Sequence, residues 1–269
     1  MDSSALPPQG AKIAARGVER RFGLEAGRPG HALGPLDLEI ADGEFVCIVG
    51  PSGCGKSTFL RNVAGLIRPT AGTIDIRIRK PARQAIAMVF QEYSIYPWKS
   101  VLKNVRLGLE VAGVTRAHAN ERARHYLRKL DLSDFADSYP DTLSGGMKQR
   151  VSIARALAVE PEILLMDEPF AALDAQLRQI LQDELLALWQ ADRRTVLFVT
   201  HSLEEAILLG DRVVVMSARP GRVLESVDVP FPRPRSSDIR NSPEFTALRE
   251  DLWSLLRREV ERNLAVERA

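Results

Sequence analysis

Residues Gly50-Pro51-Ser52-Gly53-Cys54-Gly55-Lys56-Ser57-Thr58 gather three glycines, a lysine and hydroxyl side chains in one short stretch, a combination suited to holding phosphate. Gly50, Gly53 and Gly55 let backbone N–H groups turn inward around phosphate oxygens. A helix running from Ser57 adds the partial positive charge of its N-terminus. Lys56 is then placed to reach the β- and γ-phosphates of a nucleoside triphosphate. The Ser57 hydroxyl suits a Mg²⁺ ion, and Thr58 adds a phosphate contact. The loop pattern is G-x-x-x-x-G-K-[ST], which carries this chemistry only between a strand and a helix. The apolar run Phe45 to Val49 and the pattern Phe59, Leu60, Val63 supply that setting. Cys54, beside an ammonium at a helix N-terminus, is expected to be more acidic than a free cysteine, so that alkylation blocks the loop and nucleotide protects it.

A second element completes the set. Ile163-Leu164-Leu165-Met166-Asp167-Glu168 reads as a buried strand ending in two carboxylates, with the chain turning at Pro169. Successive strand residues face opposite ways, so at the strand end the first carboxylate can hold a magnesium sphere while the next polarises water. Asp167 is the expected metal residue and Glu168 the expected general base. Together with the glycine loop they describe a nucleoside triphosphatase of the P-loop class.

The elements that position these groups follow from the pattern. Short apolar runs recur at Phe45 to Val49, Ile163 to Met166, Val196 to Val199 and Val213 to Met216, with helical patterns between them. That alternation predicts an α/β fold with a largely parallel sheet. Between Ala112 and Tyr139 the strand character disappears, and Tyr126, Leu127 and Leu130 mark one face of a helix over Ala117 to Leu130. An inserted helical lobe is expected there. Val229 to Pro234 carries three prolines and reads as an extended connector. Ser242-Pro243-Glu244 then opens a helix, with Phe245, Leu248, Leu252, Leu255 and Leu264 on its apolar face.

Composition excludes several classes. Lys+Arg of 37 against Asp+Glu of 35 leaves a net charge of +2, too little for nonspecific nucleic-acid binding. The hydrophobic fraction of 45% and charged fraction of 27% are those of an ordinary globular chain. No apolar stretch approaches the ~20 residues of a membrane span, and Met1 to Gly10 lacks a signal pattern, so the chain is expected to stay in the cytoplasm. Cys47 and Cys54 predict neither a disulfide nor a metal site.

One further segment narrows the class. Leu143-Ser144-Gly145-Gly146-Met147-Lys148-Gln149-Arg150 resembles the signature sequence of ATP-binding cassette (ABC) ATPases, placed before the Asp167-Glu168 strand as in that family. Ser144 is also a plausible N-cap, which makes a second helix end able to hold an anion. The resemblance covers Ile13 to Ser217. It implies a P-loop NTPase (RecA-like) core with an antiparallel β subdomain and an inserted α-helical subdomain. The expected boundaries are 11–229 for the ATPase domain, with the helical insert at about 92–150, and 230–269 for the connector and tail helix.

What the resemblance implies can be carried over by position. Two cassettes pack head to tail around two ATP molecules, so Ser144, Gly145 and Gly146 act on the partner's nucleotide. Phe22 resembles the aromatic that stacks on adenine. Gln91 resembles the glutamine linking magnesium and attacking water to the helical lobe. Asp174 resembles the acidic residue of the cassette interface, and His201 the histidine that contacts the γ-phosphate. Ala171 and Ser202 depart from the family pattern, which often has serine and aspartate there. Glu92-Tyr93-Ser94-Ile95-Tyr96-Pro97-Trp98 lies where a permease docks in ABC transporters. With Ala218-Arg219-Pro220-Gly221-Arg222 and Pro230 to Arg235, it is similar to the ATP-binding subunits of nitrate, sulfonate and taurine importers.

The implied protein is an ATPase on the cytoplasmic face of the membrane that uses ATP and Mg²⁺. It pairs with a second cassette, an identical chain in the simplest case, drives separate transmembrane permease subunits, and depends indirectly on an extracytoplasmic solute-binding protein. The alternative is a soluble ABC ATPase acting on nucleic acid or the ribosome. A single cassette with a short helical insert favours the transporter.

Overall fold

The computed structural model describes residues 10–23, 30–79, 84–191 and 193–267. The chain divides into two compact units, Met1–Arg77 with Gln190–Ala269, and Ile78–Trp189.

The first unit is built on β3 (Phe45–Val49), β7 (Thr195–Val199) and β8 (Arg212–Met216). β3 lies between the other two and runs parallel to both. Every residue of β3 and β7 is buried, which explains their unbroken apolar sequences: a strand covered on both faces has no reason to alternate. β9 (Val223–Asp228) pairs antiparallel with β8 at the edge and is half polar, as an edge strand can be. A separate antiparallel sheet has the order β2-β1-β4, from β2 (Gly30–Ala41), β1 (Ala11–Phe22) and β4 (Ala71–Ile76). Helix α1 (Lys56–Val63) packs Phe59 and Leu60 into the core.

The proline-rich connector folds back on this unit. Helix α6 (Leu203–Leu209) ends with carbonyls that have no helical partner. Arg235, 6% exposed, donates to the carbonyls of Ile207, Leu208 and Gly210 there, and to Phe231 O at 2.9 Å. Arg233 donates to Leu209 O and pairs with Asp211 at 2.9 Å. Burial, then the neighbouring Arg233 charge, lowers the Arg235 pKa to about 10, so it stays cationic at neutral pH at the negative end of the helix dipole.

Helix α7 (Pro243–Glu267) begins where the sequence predicts. The Ser242 hydroxyl accepts from Phe245 N at 3.2 Å, and Pro243 occupies the first turn. Its inner face contains the expected residues and extends beyond them. Phe245, Leu252, Leu256 and Glu259 are buried, while Leu248 and Leu255 are half-buried; the side chain of Leu264 lies outside the described residues.

The second unit holds the parallel pair β5 (Ile86–Val89) and β6 (Ile163–Asp167). Its helices are α2 (Val101–Val111), α3 (Arg116–Lys129), α4 (Gly145–Ala158) and α5 (Ala175–Ala191). α2, α3 and α4 pack on one another and form the helical lobe. α3 matches the expected helix to within a residue at each end. α2 begins well before Ala112, within the helical insert expected at about 92–150. Among the described residues, no helix is long and apolar enough to cross a membrane.

Candidate nucleotide site

In the first unit, β3 delivers the chain at Val49 into Gly50–Gly55 and then into α1, the strand–loop–helix order the motif requires. Gly55 is the N-cap of α1 with φ 104°, a left-handed conformation costly for an L side chain. A Cβ there would also stand 2.7 Å from Ala32 O and from Leu33 Cδ2. With glycine at this position, no side chain caps the first N–H groups of α1. Lys56 is only 5% exposed, and its Nζ donates to Gly50 O at 2.9 Å and Pro51 O at 3.0 Å. The ammonium is thus held inside the curl of the loop, with Ser57 and Thr58 half-buried behind it.

Ile48 of β3 pairs with Val199 of β7, so the loop and His201 leave the sheet at the same C-terminal edge, where open α/β sheets bind ligands. His201 is exposed. Its backbone is fixed by a network that sequence reading missed. Buried Thr200 donates to the Glu205 carboxylate at 2.5 Å and accepts from Ser202 N at 3.0 Å. Ser202 in turn caps α6, accepting from Glu205 N at 3.3 Å. The serine that departs from the family pattern therefore has a capping role here. His201 borders a cleft of about 540 Å³ that Arg249, Trp253 and Leu256 of α7 also line. Phe22, the last residue of β1, is 39% exposed, with the Arg20 guanidinium 4.6 Å from its ring centre.

The expected acidity of Cys54 is overturned. The thiol is buried under the loop, and burial pushes its pKa up; the Lys56 charge pulls the other way but is the smaller influence. The thiolate fraction at neutral pH is therefore below that of a free cysteine. Iodoacetamide is expected to label Cys54 more slowly than a free thiol at pH 7.5, with the rate rising as pH approaches the elevated pKa. Peptide mapping of labelled protein checks this, and rapid labelling at pH 7.5 would contradict it.

In the second unit, Val89 of β5 pairs with Met166 of β6, so Gln91 and the Asp167-Glu168 pair leave their sheet at a common C-terminal edge. Asp167 is 1% exposed at the end of β6. Glu168 follows with φ 45°, left-handed backbone that a glutamate rarely adopts, and Ala171 N donates to its carbonyl at 3.2 Å to close the turn. Such strain, on the order of 1–3 kcal/mol, clusters at functional sites. Gln91 is exposed.

Ser144 caps α4 as its sequence position predicts, accepting from Met147 N at 3.3 Å, and Gly145 and Gly146 open the helix. α4 is tied to α5 by Arg150 and Glu184 at 2.7 Å. Asp174 has a local role that the spacing did not reveal: its Oδ1 accepts from Leu177 N at 2.9 Å and caps the first turn of α5. The aromatic loop lies against the same region, since the Tyr93 hydroxyl is 2.9 Å from where a Gly145 Cβ would stand. Trp98 is 69% exposed and meets Tyr96 edge-on at 5.4 Å. Buried Asn104 accepts from Tyr96 N and donates to the carbonyls of Tyr96, Lys99 and Ser100, while Arg155 donates to Ser94 O at 2.7 Å. The loop is therefore held rigidly from beneath while its aromatic tip faces outward.

Comparison with known proteins bears on both units. The family described as ABC transporter matches residues 33–171. A taurine import ATP-binding protein of Rhizobium johnstonii is 46% identical over 242 residues, covering 87% of this chain and 92% of its own. A nitrate import ATP-binding protein of Synechocystis sp. is 44% identical over 245 residues, with the same coverage. Among solved structures, a dimeric ATP-binding cassette in a post-hydrolysis state with ADP and Pi superposes with a TM-score of 0.71 at 32% identity, covering 81% of this chain and 99% of that one. With the glycine loop, the acidic strand end and the capped signature helix in the order this family requires, the chain belongs to the ABC transporter family and is one of its ATP-hydrolysing cassettes.

Proposed function

We propose that this cassette powers an importer for solutes of the nitrate, sulfonate and taurine kind, as a peripheral subunit on the cytoplasmic face of the membrane. The observation that carries the ATP-driven part of the reading is Lys56, buried in its own loop at the uncapped N-terminus of α1, a cationic cradle that fits the phosphates of ATP. The importer relatives at 44% and 46% identity support the solute class.

The roles assigned to individual residues follow the loop chemistry and the family resemblance. Gly50, Pro51, Ser52, Gly53, Cys54 and Gly55 wrap the phosphates with backbone N–H groups, Lys56 contacts the β- and γ-phosphates, Thr58 adds a contact, and Phe22 stacks on adenine. The donors for a metal are the Ser57 hydroxyl, the Asp167 carboxylate and the Gln91 amide oxygen. An all-oxygen set fits Mg²⁺, which would neutralise phosphate charge when bound. Glu168 takes a proton from the attacking water, and His201 contacts the γ-phosphate. Ser144, Gly145 and Gly146 serve a second, identical cassette, with Asp174 at the interface. Tyr93 to Trp98 receives the permease, and a solute-binding protein outside the membrane delivers the cargo.

The alternative, action on nucleic acid or the ribosome, finds no support in the insert. Between Gln91 and Leu143 the only α-helices among the described residues are α2 and α3, of 11 and 14 residues, not a long coiled coil. The test is to express tagged Glu168→Gln chain in its own cells, solubilise the membranes gently and identify co-purifying proteins by mass spectrometry. A permease is expected. Ribosomal or DNA-processing proteins, with the chain absent from membranes, would overturn the reading.

A further inference from the structure

The turn between β8 and β9 lies directly under the phosphate loop. It is closed on itself: Ser217 N donates to Arg222 O at 2.9 Å, Arg222 N donates to Ser217 Oγ at 3.0 Å, and Ser217 Oγ donates toward Pro220 O at 3.1 Å. It is also stitched to β2, because Gly221 N donates to Ala32 O at 3.0 Å and Gly34 N donates to Gly221 O at 3.1 Å. A Cβ on Gly221 would fall 2.0 Å from Cys54 O and 2.7 Å from Met216 Cε.

Gly221 is not among the residues with left-handed backbone, so its torsions do not call for glycine; the contact with Cys54 does. The neighbouring Gly55 is blocked in the same manner by Ala32 and Leu33. Residues 54 and 55 therefore rest on a floor formed by the backbone of Ala32 and Gly221 and the side chain of Leu33, and the tightest approach, Gly221 to Cys54 O, is to backbone that no rotamer change can relieve. On its far side the turn is braced by the tail helix, where buried Glu259 of α7 accepts from Ala218 N at 3.2 Å.

We infer that Gly221 is a positioning residue for nucleotide binding: the Ser217–Arg222 turn sets the height of the Cys54–Lys56 backbone, and α7 braces that turn through Glu259. This rests on the reading of residues 50–58 as the phosphate site. None of these groups touches nucleotide in the proposed site. They aim the N–H groups that do, and misplacing binding groups by about 1 Å can cost up to a hundredfold.

The experiment measures Mg-ADP affinity by calorimetry on the full chain, the KM and kcat for ATP, and the nucleotide-free melting temperature. Gly221→Ala is expected to weaken ADP binding about tenfold and raise KM, with kcat at saturating ATP falling much less. Ser217→Ala, which loosens the turn without adding bulk, is expected to weaken binding about threefold. Glu259→Leu should behave like Ser217→Ala. Glu259→Gln, which keeps an acceptor oxygen, should bind ADP as the parent does. A purely structural role would lower the melting temperature of all four while leaving the affinity of the folded protein unchanged.

Unchanged affinity in folded Gly221→Ala overturns the inference. If that variant does not fold, unchanged affinity in Ser217→Ala overturns it instead. Lys56→Ala separates the two readings. If it weakens ADP binding while the turn variants do not, the floor has no role; if it too binds normally, the phosphate-site reading itself fails.

Discussion

Glu168→Gln is expected to retain ATP binding and lose about a hundredfold to ten-thousandfold in turnover, the range a positioned general base contributes. The substitution keeps the side chain's size and removes only its capacity to take a proton. Asp167 cannot take over. It is 1% exposed at the end of β6, whereas Glu168 lies one residue further on, in the turn whose φ of 45° redirects the chain. Ala171 N closes the turn on the Glu168 carbonyl, a backbone bond that this isosteric substitution leaves in place, so the variant should fold normally. Phosphate release under saturating Mg-ATP measures the loss, and parallel nucleotide titration establishes that binding survives. Near-normal hydrolysis would remove Glu168 from the base role. Loss of binding together with turnover would instead make it a structural residue of the strained turn.

Reading the sequence succeeds here where one physical cause dominates. β3, β6, β7 and β8 are buried throughout or nearly so, and an apolar run bounded by polar residues has few other meanings. The glycine loop and the Ser144 and Ser242 caps are local, short-range chemistry, so spacing alone places them.

It falls short where the cause is tertiary. β1 is a 12-residue strand, but its register shifts between Ala15 and Val18 and again near Arg20, so its apolar residues keep no period of two. Asn104 at 0% exposure looks like an ordinary polar helix residue until its bonds to the aromatic loop are seen. Arg233 and Arg235 sit in a proline-rich stretch that reads as an extended connector. Only the fold shows that α6 ends beneath them with carbonyls to satisfy. Cys54 fails for a related reason. Proximity to Lys56 is visible in the sequence, whereas burial, the larger influence on the thiol, is not.

The tail helix combines both situations. Its start is chemical and local, but the extent of its buried face is set by α6 and the β8–β9 turn, which add Leu256 and Glu259 to the expected stripe.

Lys56→Ala is expected to lose the nucleotide binding that Glu168→Gln retains. Charge-assisted hydrogen bonds contribute about 1.5–3 kcal/mol each, so losing the contact to the β- and γ-phosphates should weaken ATP binding by on the order of a hundredfold. The change has a second consequence within the loop. Gly50 O and Pro51 O lose the ammonium that now satisfies them at 2.9 and 3.0 Å. A buried acceptor left without a donor costs about 1–3 kcal/mol, so some loss of thermal stability accompanies the loss of affinity. The two effects are distinguished by the ligand series. AMP carries only the α-phosphate, which Lys56 is not expected to reach, so a displaced loop should weaken AMP, ADP and ATP alike. A missing ammonium should spare AMP and penalise ADP and ATP progressively. Calorimetric titration of the three nucleotides into parent and variant, with melting curves in their absence, measures both. A uniform loss across the series would assign Lys56 to shaping the loop, and an unchanged ATP affinity would remove it from the phosphate site.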